Sequence, residues 1–173
     1  MSYEISPAFR RAIRLVTILA ASATIAGCQV KPLYSTSTGV APKLASVEFS
    51  QASDRVTQLV RNHLIFLASG GAGEPVKSDY FVQLSVASAR ADVLDEETSA
   101  NFIPGRVTLT GSYTLTHKID GKVIRSATRK VTSLVDVGPQ QFAKLRAYRD
   151  AEDRAGRELA EFIRADIAAA LSR

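Results

Sequence analysis

Thiols are the strongest nucleophiles a protein offers near neutral pH, and this chain of 173 residues has a single one, Cys28. A lone cysteine closes no internal disulfide. With only two histidines, His63 and His117, the sequence also has too few ligands for a Cys/His metal site. What the sulfur can do is be alkylated. It follows Ala26-Gly27, small residues that leave the backbone open to a peptidase and the thiol open to a modifying lipid. The other candidates for chemistry are weaker. His63 falls near the core face of a helical run and His117 in the inward series of a strand, where histidines pack far more often than they catalyse. Gly70-Gly71-Ala72-Gly73 follows a helix and precedes a strand, the reverse of a phosphate-binding loop. Asp95, Glu96 and Glu97 stand together in a loop and read as solvated. No C-x-x-C, H-E-x-x-H or G-x-S-x-G motif occurs, and nothing joins a nucleophile to a base and an oxyanion donor. The expectation is no catalytic residue, no metal, no cofactor and no enzyme.

The segment before Cys28 explains the cysteine. Arg10, Arg11 and Arg14 stand against one acid, Glu4, and are followed by an uncharged run of 12 residues, Leu15 to Ala26. That run is too short for a hydrocarbon core that needs about 20 residues. A basic start, a short apolar run and small residues at its end form an export signal. The ending Ile25-Ala26-Gly27-Cys28 resembles the lipobox of bacterial lipoproteins, which implies cleavage after Gly27 and lipidation of Cys28. Two or more acyl chains then give stable anchoring, since one chain alone is marginal. Gln29, rather than aspartate, follows the cysteine, and by analogy with enterobacterial sorting this points to the outer membrane, on its periplasmic side.

Removing residues 1–27, with their three arginines and one glutamate, lowers the net charge from +5 to +3 over the 146 residues that remain. A chain of that size buries close to 70% of its unfolded surface and needs no disulfide. The organisation reads as a signal over 1–27, a lipidated tether over 28–42, rich in Ser, Thr, Gly and Pro, and one domain over 43–173.

The elements of that domain follow from periodicity. Leu44 to Phe49 reads as a short strand. Ser53 or Asp54 caps a helix with Val56, Leu59, Val60, Leu64 and Leu67 at helical spacing. Tyr80, Val82, Leu84 and Val86 alternate with small or polar residues as a half-buried strand. The next strand places Val107, Leu109, Tyr113, Leu115 and Ile119 on one face and Thr108, Thr110, Ser112, Thr114 and Thr116 on the other. Asp120-Gly121 signals a hairpin turn, and Val123 to Val135 is β-branched without clean alternation. From Pro139 to about Leu171 one long helix carries Tyr148, Ala151, Ala155, Leu159, Phe162, Ile163 and Ile167 as its apolar stripe. The order β-α-β-β-β-α predicts an α+β fold, a two-layer sandwich with a four-stranded antiparallel or mixed sheet and both helices on one face.

That layout leaves two surfaces to interpret. The hydroxyl face of Thr108, Thr110, Ser112, Thr114 and Thr116 has no helix over it, and suits water or a hydrogen-bonding protein surface equally. Lys118, Lys122 and Arg125 gather near the hairpin turn, with Arg106 at the other end of the neighbouring strand. Such cations can hold anionic phosphates or simply protect a sheet edge from aggregation. Basic residues interleaved with stacking aromatics are absent, which argues against nucleic acid.

At three places the chain resembles the LptE family of lipopolysaccharide-assembly lipoproteins, in its alphaproteobacterial form. These are Gly27-Cys28-Gln29-Val30-Lys31-Pro32-Leu33-Tyr34, then Gln58-Leu59-Val60-Arg61-Asn62-His63-Leu64, and Arg149 to Ala155 followed by Leu159 to Ile163. The resemblance implies a lipoprotein of the outer membrane that plugs and stabilises the LptD β-barrel and assists lipopolysaccharide assembly at the cell surface. Its partners would be that barrel, lipopolysaccharide and the membrane. The hydroxyl face would then meet the polar barrel lumen, and Arg106, Lys118, Lys122 and Arg125 would be candidates for lipopolysaccharide contact. An auxiliary lipoprotein of another envelope lipid transporter, or a pilotin for an outer-membrane pore, shares the same anchor and size. One expectation is independent of all these partners. Cys28→Ala should leave an unprocessed precursor in the inner membrane, seen as a larger band in fractionated cells; a normally processed outer-membrane product would contradict the lipid anchor.

Overall fold

The computed structural model describes residues 39–92 and 103–172; Cys28, the signal, most of the expected tether and the Asp95-Glu96-Glu97 loop lie outside them. The described chain runs α1 (Val40–Ala45), β1 (Val47–Phe49), α2 (Arg55–Ser69), β2 (Tyr80–Asp92), β3 (Ile103–His117), β4 (Val123–Val137) and α3 (Gln141–Leu171). The strands form one mixed sheet in the order β1-β2-β3-β4. β1 and β2 are parallel, joined through α2. β2, β3 and β4 are an antiparallel meander. Both long helices pack on the same face, giving the two-layer α+β sandwich expected from periodicity.

Each element has a local cause. Asp54, rather than Ser53, caps α2. Its Oδ1 accepts from the backbone N–H groups of Val56 and Thr57, both at 2.9 Å, and its Oδ2 accepts from the Thr57 hydroxyl. These bonds satisfy donors that the first helical turn leaves open. At the other end Gly70, with φ 63°, closes the helix in the left-handed conformation that glycine adopts without strain. Along β2 and β3 the inward series Val82, Leu84, Val86 and Val107, Leu109, Tyr113, Leu115 is buried. The register sets Val82 beside Leu115 and Leu84 beside Tyr113, so the two series form one apolar layer.

Helix α3 covers that layer with Tyr148, Ala151, Ala155, Leu159, Ile163 and Ile167, all at most 5% exposed. Two glycines favour its close approach. A Cβ on Gly111 would stand 3.0 Å from Leu159 Cδ2, and one on Gly156 would stand 2.9 Å from Leu59 Cδ2. The absence of side chains at these positions eases the approach of the sheet and of α2 to α3, since a methyl group there would push the Leu159 and Leu59 side chains aside.

The structure departs from the periodicity in four places. Val40 to Pro42, expected in the tether, and Leu44 and Ala45, expected in the first strand, form α1 instead. Val40 and Leu44 are one helical turn apart and both buried, and Lys43 Nζ donates to the Leu171 carbonyl at 2.8 Å. Tertiary packing therefore fixes a helix too short to form alone. Ile119 stands in the turn, 83% exposed, because β3 ends at His117. Phe162 lies at the edge of the α3 stripe and is 47% exposed. The register of β4 is fixed by a shift between Leu115 and Thr116; its alternation looked unclear because the inward positions opposite Leu115 and Gly111 are Arg125 and Arg129.

Two ion clusters pin α3. Glu152 is 2% exposed and sits between three elements. Its carboxylate accepts from Arg55 of α2, and from Arg90 (2.7 Å) and Ser88 (3.2 Å) of β2. Arg90 also lies 5.2 Å over the Tyr148 ring. Nearer the C-terminus, Arg129 of β4 grips Asp166 through two parallel bonds of 2.6 and 2.5 Å, the fork geometry that favours arginine over lysine. That grip holds the Asp166 carboxyl below its ordinary value. The neighbouring Tyr113 phenol, pushed by burial and then by the Asp166 charge, rises to about 12.

Both clusters make measurable predictions. Arg55 and Arg90 are about half exposed and can turn to water when their partner is lost. Glu152→Ala should therefore cost about 2 kcal/mol in urea unfolding, below the 3–5 kcal/mol of a fully buried pair. Glu161→Ala, at an exposed pair on the same helix, should change stability by less than about 0.5 kcal/mol. Asp166 gives the pH dependence. Its folded pKa is depressed, so its stabilisation is complete at neutral pH and is lost as pH falls below about 4. Asp166→Asn should flatten that part of the stability–pH curve, and an unchanged acid limb would show that the pair contributes nothing.

Candidate functional site

The centre of the sheet's side away from the helices is built mainly from small hydroxyl residues and alanine. β3 sends Thr108, Thr110, Ser112, Thr114 and Thr116 outward, as its alternation requires. The register then brings Ser126, Thr128, Lys130 and Thr132 of β4 alongside, with Lys130 opposite Thr110. Three cross-strand hydroxyl pairs result: Thr108 with Thr132 at 3.1 Å, Ser112 with Thr128 at 3.0 Å, and Thr114 with Ser126 at 3.1 Å. Thr116 donates to the Phe81 carbonyl at 3.2 Å. β2 adds Gln83, Ser85, Ala87 and Ala89 to the same face, all exposed. A hydroxyl is donor and acceptor at once. Each pair is therefore satisfied internally and still has capacity for a partner's donor or acceptor. No carboxylate lies between Gln83 and Ala89 or between Thr108 and Thr116, so a partner there meets polar groups and the Lys130 ammonium opposite Thr110, but no acid.

The four candidate cations separate into three environments. Lys122 and Arg125 line a groove of about 510 Å³ between the hairpin and the C-terminal part of α3, together with Tyr80, His117, Asp120 and Asp166. Both carboxylates in the groove are already engaged. Asp120 Oδ1 lies 2.9 Å from His117 Nδ1 and accepts from the Lys122 backbone N–H at 3.1 Å. Bonding to His117 and then to Lys122 holds its pKa below the ordinary value, while Asp166 belongs to Arg129. With its acids spoken for, the groove offers an incoming ligand mainly the Lys122 ammonium and the Arg125 guanidinium, on a floor that includes Ala169, Ala170 and Ile124. An anionic group with an apolar appendage fits that chemistry.

Lys118 faces elsewhere. Its Nζ lies 2.8 Å from Glu48 Oε2 and 2.8 Å from Ser78 Oγ. The Lys118 bond, and then that of the Ser78 hydroxyl, which donates to Glu48 Oε2 at 2.6 Å, hold the Glu48 carboxyl below its ordinary value. Lys118 therefore braces β1 and the lead-in to β2 against the hairpin. Arg106 is on the hydroxyl side of β3, nine residues from the position opposite Arg125, or about 30 Å along an extended strand. It is not part of the groove. His63 is half-buried on α2. Asp166, Ala169 and Ala170 complete the groove but gave no sequence signal, since they stand more than forty residues beyond Arg125 on another element. Among the described residues there is no His/Cys/Asp/Glu cluster able to hold a metal, and no helix long and apolar enough to cross a membrane.

No protein-family model matches the sequence, and no curated protein is significantly similar to it. Solved structures are more informative. A minor lipoprotein from Acinetobacter baumannii aligns at a TM-score of 0.49 and 16% identity, over 71% of this chain and 90% of the other. Rare lipoprotein B from Shewanella oneidensis aligns at 0.48 and 18% identity, over 72% and 92%. These two likenesses are too distant to carry an argument. A candidate lipoprotein from Caulobacter crescentus aligns at a TM-score of 0.63 with 24% identity, over 78% of this chain and 96% of that one. What this chain shares with the Caulobacter protein is its fold.

Proposed function

We propose that this chain is an outer-membrane lipoprotein, anchored through Cys28, that sits in the lumen of an LptD-type β-barrel and assists lipopolysaccharide assembly without catalysing a reaction. The observation that carries this reading is the hydroxyl-paired outer face of the sheet. A barrel lumen is lined with polar side chains. A plug must therefore exchange hydrogen bonds with water for hydrogen bonds with the wall, and it loses most where a charge is stripped of solvent unpaired. A lattice of serine, threonine and alanine around the Lys130 ammonium keeps that cost low. The lipobox-like sequence and the resemblance through Pro32-Leu33-Tyr34 support the anchor and the partner. The Lys122/Arg125 groove supplies a place for the anionic groups of lipopolysaccharide, joined to the protein by charge-assisted bonds.

Each part then has a task. The lipid holds the domain at the inner leaflet of the outer membrane. The outer sheet face seats it against the barrel wall. The buried helical layer keeps the plug rigid while lipopolysaccharide passes.

Affinity capture of the full chain from detergent-solubilised outer membranes tests the proposal. A β-barrel of LptD type should be recovered with the native chain. Ser112→Arg/Thr128→Arg, which places two charges on the outer face without touching the core, should reduce that recovery about tenfold, equivalent to ~1.4 kcal/mol. Recovery of no barrel would overturn the plug, recovery of a different outer-membrane pore would favour the pilotin reading, and undiminished recovery by the double variant would remove the sheet face from the contact.

A further inference from the structure

One end of the domain gathers three features, of which the groove shares only Lys122. The first is where the described chain starts. Gly39 and α1 sit against the end of α3, through Lys43 and Leu171. The second is a ladder of backbone bonds. The Asp79 N–H donates to the Ser46 carbonyl at 3.1 Å, and the Lys118 N–H to the Asp79 carbonyl at 2.9 Å. The end of α1, the loop before β2 and the hairpin turn are thereby held side by side. The third is what those two loops present. Val76 is fully exposed at 108% and Ile119 at 83%, and each has a lysine beside it in sequence, Lys77 and Lys118, with Lys122 closing the turn.

We infer that this end is a second membrane contact, a pair of loop tips that rests on an anionic phospholipid surface beside the lipid anchor. Isolated exposed aliphatic residues are ordinary on a protein surface. Two of them in loops that the Asp79–Lys118 backbone bond holds side by side, with Lys77 and Lys122 close in sequence, match the chemistry of an interface where short apolar side chains enter the headgroup layer and ammonium groups meet phosphate. Lys118 itself is held by Glu48. The acids nearby are largely committed within the protein: Glu48 to Lys118, Glu74 to Arg61 at 2.5 Å, and Asp120 to His117. Asp79 is close by and opposes the attraction, so the contact is weak alone. The inference rests on the anchored reading for its strength. Gly39 is eleven residues after Cys28, a reach of at most about 40 Å. An anchor on so short a tether keeps the tips at high effective concentration near the bilayer and makes a weak contact count. Its consequence is orientation. With the hairpin turn down, the strands rise away from the membrane surface, and the hydroxyl face is presented sideways to a barrel wall.

The chain contains no tryptophan and one thiol, which makes the test direct. The full mature chain, coupled through Cys28 to maleimide-headgroup lipid, is placed on vesicles of phosphatidylcholine mixed with phosphatidylglycerol, with a single reporter Ile119→Trp or, at the far end, Phe142→Trp. The tip reporter should shift to the blue and be quenched by brominated acyl chains; the far reporter should show neither effect. Lys77→Ser/Lys122→Ser should diminish the tip shift, as should added salt. An unshifted tip reporter, or equal shifts at both ends, would overturn the inference. The anchored reading fails separately, if Cys28 carries no fatty acid in cells grown with labelled palmitate.

Discussion

The structure depends on how closely α3 lies against the sheet. At Gly111 and Gly156 a methyl group would crowd Leu159, Ile163 and Leu59, whose side chains fill that space. Close packing of this kind is felt at the level of single methylenes, so the two glycines help set the distance between layers. Glu152 and Asp166 then fix the direction. One ties the middle of the helix to β2 and α2, and the other ties its C-terminal part to β4. A helix held at two points along its length resists sliding and pivoting against the strands it ties, β2 and β4.

The consequence is a strongly two-sided sheet. Most of its inner face is covered by the helices, with Arg125 left open at the groove, and the outer face is free of any duty to the core. That face could have carried the alternating charges common on solvated antiparallel sheets. It carries mainly paired hydroxyls and alanines, with Lys130 opposite Thr110 as the cation among them and Arg106 towards one end. The other candidate cations stand at the hairpin end, with Lys122 and Arg125 in the groove and Lys118 bracing the turn. A broad face poor in charge suits the proposed docking along the sheet.

Much of this was legible in the sequence, and the exceptions share a cause. The sandwich followed from periods of 2 and 3.6 because those periods are set by which side faces the core. The outward hydroxyls of β3 were visible for the same reason. Their partners Ser126, Thr128 and Thr132 were not, because Arg125 and Arg129 occupy inward positions of β4 and blur its alternation. Arg129 can do so only by reaching Asp166 on a distant helix. Helix α1 was hidden because two apolar residues, Val40 and Leu44, carry no periodic signal alone and acquire helical structure from packing. Glu152 looked like any other acid in a charged helix. Its burial needed Arg55 and Arg90, sixty and more residues away, to be brought to it by the fold.

The central claim is that the hydroxyl face is covered by a polar wall when the protein is in its membrane. Thiol labelling of Ser112→Cys measures this directly, since Cys28, once lipidated, leaves no competing thiol. In isolated outer membranes the introduced cysteine should react far more slowly with a soluble maleimide than it does in the purified chain. Equal rates in the two settings would show the face open to water and would contradict the account.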